Sequence, residues 1–151
     1  MWKVVAEILH RRLETSITYH DLLHGFLAGR GTGTATLEAK LLQQLSAMRE
    51  EVLYVIFLDL HKSYDALDRS MSLYILGGYE VGPRARRLLR TYWGQMTMLA
   101  REREYYGTAF KGAGGVTQGN PLSPTIFNVV VDAAVLHWVT LTVEDAEKMG
   151  G

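Results

Sequence analysis

The sequence contains no cysteine, which excludes disulfides and thiolate metal sites. Its three prolines are too few for a proline-rich linker. It has no net charge, with 16 Lys and Arg against 16 Asp and Glu, so any affinity for a polyanion has to come from local patches. No segment reads as a long uninterrupted apolar run, and the N-terminus lacks a signal-peptide pattern, so no membrane partner is expected. Internal repeats and low-complexity tracts are absent as well. What is present is an ordinary globular composition, 48% hydrophobic over 151 residues, enough for one domain with a real core.

Apolar spacing expects a helix from Trp2 to about Leu13, with Val4, Val5, Ile8, Leu9 and Arg12 at helical intervals. The glycine-rich stretch from His24 to Ala35 reads as a loop. Helical spacing resumes at Leu37, Leu41, Leu42, Leu45 and Met48. "VLYVIFLDL", from Val52 to Leu60, is β-branched and aromatic on both alternating faces and reads as a buried strand. A helix follows from Asp65 to Tyr79, ending at Gly77-Gly78, and Gly82-Pro83 opens another with proline near its first position. Two short strands are expected between Thr97 and Phe110, with a turn near Glu104 or Gly107. A loop over Gly112 to Gly119 leads to Ser123-Pro124, which reads as N-cap and first position of a helix reaching about Thr140.

Asp59 is the first candidate for chemistry. A carboxylate ending a hydrophobic strand is costly unless exposed, paired or metal-bound, and strand ends are where ligand sites collect. From spacing alone it is either a metal ligand or a cap of the following helix. Tyr64 stands five residues later (64 − 59). By itself it reads as a core aromatic.

Three stretches together resemble the reverse transcriptase family, of the group II intron and non-long-terminal-repeat retrotransposon type. "FLDLHKSYDALDR" is similar to the first palm motif, an Asp followed at this spacing by Phe or Tyr. "GVTQGNPLSPTIFN" is similar to the Gln-Gly motif with its Pro-Leu-Ser-Pro and Phe-Asn. "LHGFLAGRGTGTA" resembles a fingers motif. The three occur in the family's order, and the resemblance covers roughly Ile8 to Trp138.

The resemblance implies an α+β right-hand polymerase fold, with residues of about 1–50 fingers-like, about 51–140 palm-like and 141–151 a tail. It implies an RNA-directed DNA polymerase that uses deoxynucleoside triphosphates and an RNA template with a DNA or RNA primer. It also implies Mg²⁺, a cation that takes hard oxygen ligands. Asp59 would supply a carboxylate and Leu60 its backbone carbonyl. Tyr64 would lie under the incoming sugar, where its ring excludes a ribose 2′-hydroxyl. Gln118 would contact the nucleotide, and Gly119 would let the backbone approach it. Arg30 would meet the triphosphate, its alternative being a solvated loop arginine. Tyr64 argues against an RNA-directed RNA polymerase, the second enzymatic alternative. A non-catalytic nucleic-acid-binding relic is the alternative from another class.

Arg84, Arg86, Arg87, Arg90, Arg101 and Arg103 form a basic stretch broken only by Glu102. Arg84, Arg87 and Arg90 are candidates for template or primer phosphates, with a solvated helix face as the alternative. His20 and His24 have a spacing that binds zinc on a helix, but no third ligand accompanies them. The second carboxylate site of the family, an aromatic-x-Asp-Asp hairpin, has no counterpart, because the sequence contains no Asp-Asp pair. A thumb, which the resemblance also implies, is not expected within this sequence. The chain alone is therefore expected to be inactive, and the edge of its Val52–Leu60 strand to promote self-association. The compartment is intracellular on this reading, with cytoplasm and nucleus both open.

Overall fold

Ala6, Leu9 and Leu13 recur at intervals of three and four, and they form the buried stripe of helix α1 (Trp2–Ser16). The computed structural model describes residues 2–112 and 114–149. The inward face of α1 differs from the one expected, since Val4 and Ile8 are exposed while Ala6 and Leu13 turn inward. Helix α2 (Thr32–Met48) begins inside the stretch expected to be loop. Thr34 makes this start, its hydroxyl bonding both the N–H and the carbonyl of Gly31. No residue of α2 is buried, so Leu37, Leu41, Leu42 and Leu45 face outward.

The segment Val52–Leu60 corrects the strand expectation. It has no regular secondary structure and, among the described residues, no backbone hydrogen bond. Its side chains are exposed, Tyr54 at 87% and Phe57 at 93%. The physical reason is pairing: a strand exists only where another backbone hydrogen-bonds to it, and no described segment pairs with this one.

The helix expected over 65–79 is two. Helix α3 (Ser63–Ala66) ends at Leu67, and Asp68 caps α4 (Arg69–Gly78) by accepting from the Met71 N–H at 2.6 Å. Helix α5 (Pro83–Gln95) starts with proline in its first turn, as read. Strands β1 (Arg101–Glu102) and β2 (Tyr105–Tyr106) pair antiparallel around a turn at Arg103-Glu104, and Met98 bridges Phe110 beyond them.

Helix α6 (Leu122–Met149) begins earlier than expected and runs further. Asn120 does the capping, its Oδ1 accepting from the Leu122 N–H at 3.0 Å, and Ser123 lies inside the helix. The stretch Leu122–Asp145 is long and apolar enough to cross a membrane, which amends the expectation of no such run. Its first half is core: Leu122, Ile126 and Val129 are buried, with α6 packed against α1 and α4, in one cluster with Leu76, Leu89 and Trp93. The helices and the small two-stranded sheet are compatible with an α+β class.

Buried polar residues recur along α6 at Thr125, Asn128 and Asp132. Thr125 Oγ1 is 2.7 Å from His10 Nδ1 on α1. Asn128 Nδ2 donates to the Gly25 carbonyl at 2.7 Å. Asp132 accepts from the His20 N–H at 2.8 Å through Oδ1 and from the Tyr79 hydroxyl through Oδ2. Each of these three groups thus meets a partner on a distant segment, which fixes α1 and the stretch from His20 to Gly25 against α6.

Candidate nucleotide site

Two of the three sequence motifs are joined by backbone. The Gly115 N–H donates to the Leu67 carbonyl and the Val116 N–H to the Tyr64 carbonyl, both at 2.9 Å. Gly115 has φ +72°, and a Cβ there would stand 2.8 Å from the Tyr64 carbonyl oxygen, so a side chain would break this approach. The Tyr64 ring stacks on Phe127 of α6, with centroids 5.2 Å apart and planes at 28°. Burial pushes the Tyr64 hydroxyl above its ordinary pKa. The third motif is tied in through Gly25, whose carbonyl accepts from Asn128.

The turn at Gln118-Gly119 is held at both ends. On one side Ser123 Oγ donates to the Thr117 carbonyl at 2.7 Å. On the other, Asn120 Nδ2 donates to the Tyr92 hydroxyl while its Oδ1 caps α6. Gln118 itself is exposed. Gly119, at φ +77°, has no heavy atom within 4 Å of where a Cβ would stand, which leaves its backbone open to approach.

Arg69 is a residue the sequence reading missed. Its Nε donates to the Gly115 carbonyl at 2.8 Å and its Nη1 to the Gly112 carbonyl at 3.0 Å. The guanidinium also lies over Trp93, 5.9 Å from the ring centroid. Burial lowers its pKa from the ordinary arginine value. The first turn of α4 thus grips the loop that carries Gln118. An arginine just after "DALD" is the only signal in the sequence, and its acceptors are main-chain atoms that no residue type announces.

The remaining expected residues lie differently. Asp59 is exposed on the unpaired segment and, among the described residues, has no hydrogen-bond or ion-pair partner; Leu60 is exposed beside it. Leu58 and Leu60 flank Asp59 and line an apolar groove of about 620 Å³ against Phe127, Val131, Val135 and Trp138 of α6. Arg30 is not a free loop cation. Its Nη1 donates to the carbonyls of His20, Asp21 and Leu23, and Nη2 pairs with Asp21 Oδ1 at 2.7 Å. His20 and His24 are not on a helix, and they do not share a metal site. His20 Nδ1 accepts from the Leu22 N–H, and His24 bonds Thr34 and Glu38. Arg84, Arg87 and Arg90 lie exposed on α5.

The Mg²⁺ implied by the motif resemblance can be tested against these donors. Asp59 and the Leu60 carbonyl are hard oxygens of the kind it takes. Among the described residues, however, no group of three His, Cys, Asp or Glu side chains converges on one point. The donors present do not compose a magnesium site.

The sequence matches the family described as reverse transcriptase (RNA-dependent DNA polymerase) over residues 1–143. It is 27% identical over 153 residues to the retrovirus-related Pol polyprotein from type-1 retrotransposable element R2 of Nasonia vitripennis, covering 97% of this chain and 15% of that protein. It is 31% identical over 145 residues to the corresponding polyprotein from type-2 retrotransposable element R2DM of Drosophila melanogaster, covering 95% of this chain and 13% of that protein. The chain therefore spans about a seventh of the length of these relatives. Both are named as retrotransposable-element proteins. No solved structure matches.

Proposed function

This chain belongs to the reverse transcriptase family, and on that premise we propose that it forms the nucleotide-positioning part of an RNA-directed DNA polymerase of a retrotransposable element. The observation that carries the reading is the joining of Tyr64 to the Gln118 loop through the Val116 N–H at 2.9 Å. In the proposed site the stacked ring of Tyr64 supports the deoxyribose and leaves no room for a 2′-hydroxyl. Gln118 presents its amide to the nucleotide from a turn anchored at both ends, and Gly119 keeps the backbone approachable. Such pre-positioning is the main contribution a protein makes to phosphoryl transfer, since the in-line attack itself needs little covalent help. In finer terms, residues of about 1–50 correspond to fingers, about 51–140 to palm and 141–151 to a tail.

Asp59 enters the proposal as one carboxylate of the Mg²⁺ site, with the Leu60 carbonyl beside it. Arg30 enters as a triphosphate contact, for which it would exchange Asp21 for phosphate oxygens. Because the donor set is incomplete and the sequence has no Asp-Asp pair, we propose that the 151-residue polypeptide alone does not polymerise. Primer extension on a primed RNA template with Mg²⁺ tests this: no product is expected. Robust extension that disappears in Asp59→Ala would overturn the proposed incompleteness. If product does form, its dependence on deoxynucleotides rather than ribonucleotides separates this chemistry from an RNA-directed RNA polymerase.

The exposed apolar side chains of Val52–Leu60 and the outer face of α2 make self-association part of the proposal. Light scattering across a concentration series reads it directly, and a monodisperse monomer throughout would contradict it.

A further inference from the structure

Residues 52–60 lack a paired backbone, yet they already have the shape of a strand. No turn or bend interrupts them. Their side chains alternate between two grooves. Leu53, Val55 and Phe57 line one against α2, while Leu58 and Leu60 line the other against α6. That is the two-residue period of extended backbone.

The stretch is bounded alike at both ends. Glu50 (φ +56°) and Lys62 (φ +46°) are both left-handed, and each lies in a turn. Midway between them is Ile56, 82% exposed. The charges at the two ends are opposite: Glu50 and Glu51 precede the apolar run, and His61 and Lys62 follow it.

Such a segment complements a reversed copy of itself. In an antiparallel pair with a two-fold axis through Ile56, residues equally far before and after Ile56 face each other. Glu50 then stands opposite Lys62 and Glu51 opposite His61, each pairing occurring twice. Between them Val52 meets Leu60, Tyr54 meets Leu58 and Val55 meets Phe57, with Asp59 opposite Leu53 near the end of the ladder. An axis through Val55 would instead set Glu51 against Asp59, like against like. An axis through Phe57 would leave both glutamates without a cation opposite. A parallel pair in register would place each glutamate beside its own copy.

We propose that residues 52–60 form an antiparallel two-stranded interface with a second copy of this chain, its two-fold axis at Ile56. The inference rests on the self-association proposed above, and adds the partner, the register and the symmetry. An extended peptide of another sequence could also pair with this backbone. The reversed copy supplies the matching charge at both ends.

The sequence has no cysteine, so disulfide trapping reads the register without background. Opposed residues of an antiparallel pair have Cα atoms about 4.5–5.5 Å apart, within disulfide reach. Under mild oxidation Ile56→Cys is expected to give a covalent dimer. Val52→Cys alone is expected to give none, and to cross-link with Leu60→Cys when the two variants are mixed. In light scattering the parent's mass is expected to level off at that of a dimer. Lys62→Glu is expected to raise the dissociation constant about tenfold, since two pairs turn from attractive to repulsive. Glu50→Lys with Lys62→Glu is expected to restore it. These positions are all exposed, so the helical circular dichroism of each variant is expected to match the parent's.

A monomer at every concentration would overturn this inference together with the self-association it rests on. Four outcomes would overturn the inference alone: association without an Ile56→Cys cross-link, a Val55→Cys cross-link in its place, mass growing without a plateau, or no recovery in the charge-swapped variant. A fifth concerns the occupant. An extended apolar peptide without the end charges would have to block the Ile56→Cys cross-link as well as a peptide of residues 50–62 does. The segment would then be a general strand acceptor.

Discussion

The N–H of Val116 donates to the carbonyl of Tyr64 across 2.9 Å. This bond joins two sequence stretches that the chain separates by more than one helix. It places the loop carrying Gln118 against the aromatic proposed to support the sugar. Arg69 reinforces the joint from the start of α4, reaching the Gly115 and Gly112 carbonyls.

Arg69→Ala should therefore loosen the loop more than the core. Two charge-assisted hydrogen bonds are lost, a stability cost of about 2–3 kcal/mol. Hydrogen exchange is expected to quicken at the Gly115 and Val116 amides while the interior of α6 around Ile126 stays comparatively protected. Arg69→Lys recovers only part, because one ammonium does not reproduce the fork. Uniform loss of protection through α4, α5 and α6 would show that Arg69 serves the core instead.

The two positive-φ glycines of this loop, Gly115 and Gly119, should respond unequally. Both have positive φ, but only at Gly115 would a Cβ press on the Tyr64 carbonyl oxygen and the Asp65 backbone, at 2.8–2.9 Å. Gly115→Ala is expected to cost about 2–4 kcal/mol, combining backbone strain with the clash. Gly119→Ala, with open space around it, is expected to cost about 1 kcal/mol. Urea denaturation of the two variants decides it; equal costs would mean that the packing of Gly115 on Tyr64 is not what holds the loop.

How much of this was legible in the sequence varies with the range of the interaction. Helix α5 was readable because Gly82-Pro83 sets its own start locally, and the β1–β2 turn likewise. Val52–Leu60 was misread because alternation shows what a segment is suited to, while a strand also needs a neighbouring backbone. Ser123 looked like a cap, yet Asn120 took that role and left the Ser123 hydroxyl for the Thr117 carbonyl. The structural roles of Arg69 and Asp132 were not legible because their partners lie 46 and 112 residues away, at Gly115 and His20. The three motif stretches stood out as resemblances. Their mutual hydrogen bonds appear only in the fold.

Asp132 and Tyr79 form the other long-range joint, and removing one partner strands the other. Tyr79→Phe leaves a buried carboxylate oxygen without its donor and is expected to cost about 1–3 kcal/mol. A double-mutant cycle with Asp132→Asn should return a coupling of about 1 kcal/mol or more. Strict additivity of the two substitutions would argue against the pair.

Stability should also fall in alkali. Burial first, then the negative charges of Asp132 and Glu14, push the Tyr19 hydroxyl from 10.0 up to about 12. Burial and the bond to Asp132 raise Tyr79 as well. Between these values the unfolded chain loses protons that the folded chain retains. The contribution is thus full below about pH 10 and declines as pH rises toward 12. Urea midpoints measured across pH 8–12 should drop in the upper half of that range, and Tyr19→Phe with Tyr79→Phe should flatten the drop. An equally steep drop in the double variant would place its origin elsewhere.

The most direct measurement of the central claim is photo-labelling of the chain with an azido-dUTP, followed by peptide mapping. The account expects label in the peptide carrying Tyr64 and in the peptide carrying Gln118, competed by dTTP more strongly than by UTP. It also expects Tyr64→Ala to erase that difference between the two competitors. Label absent from both peptides, or competed equally by UTP and dTTP in the parent chain, would contradict the assignment of Tyr64 and Gln118 to a deoxynucleotide site.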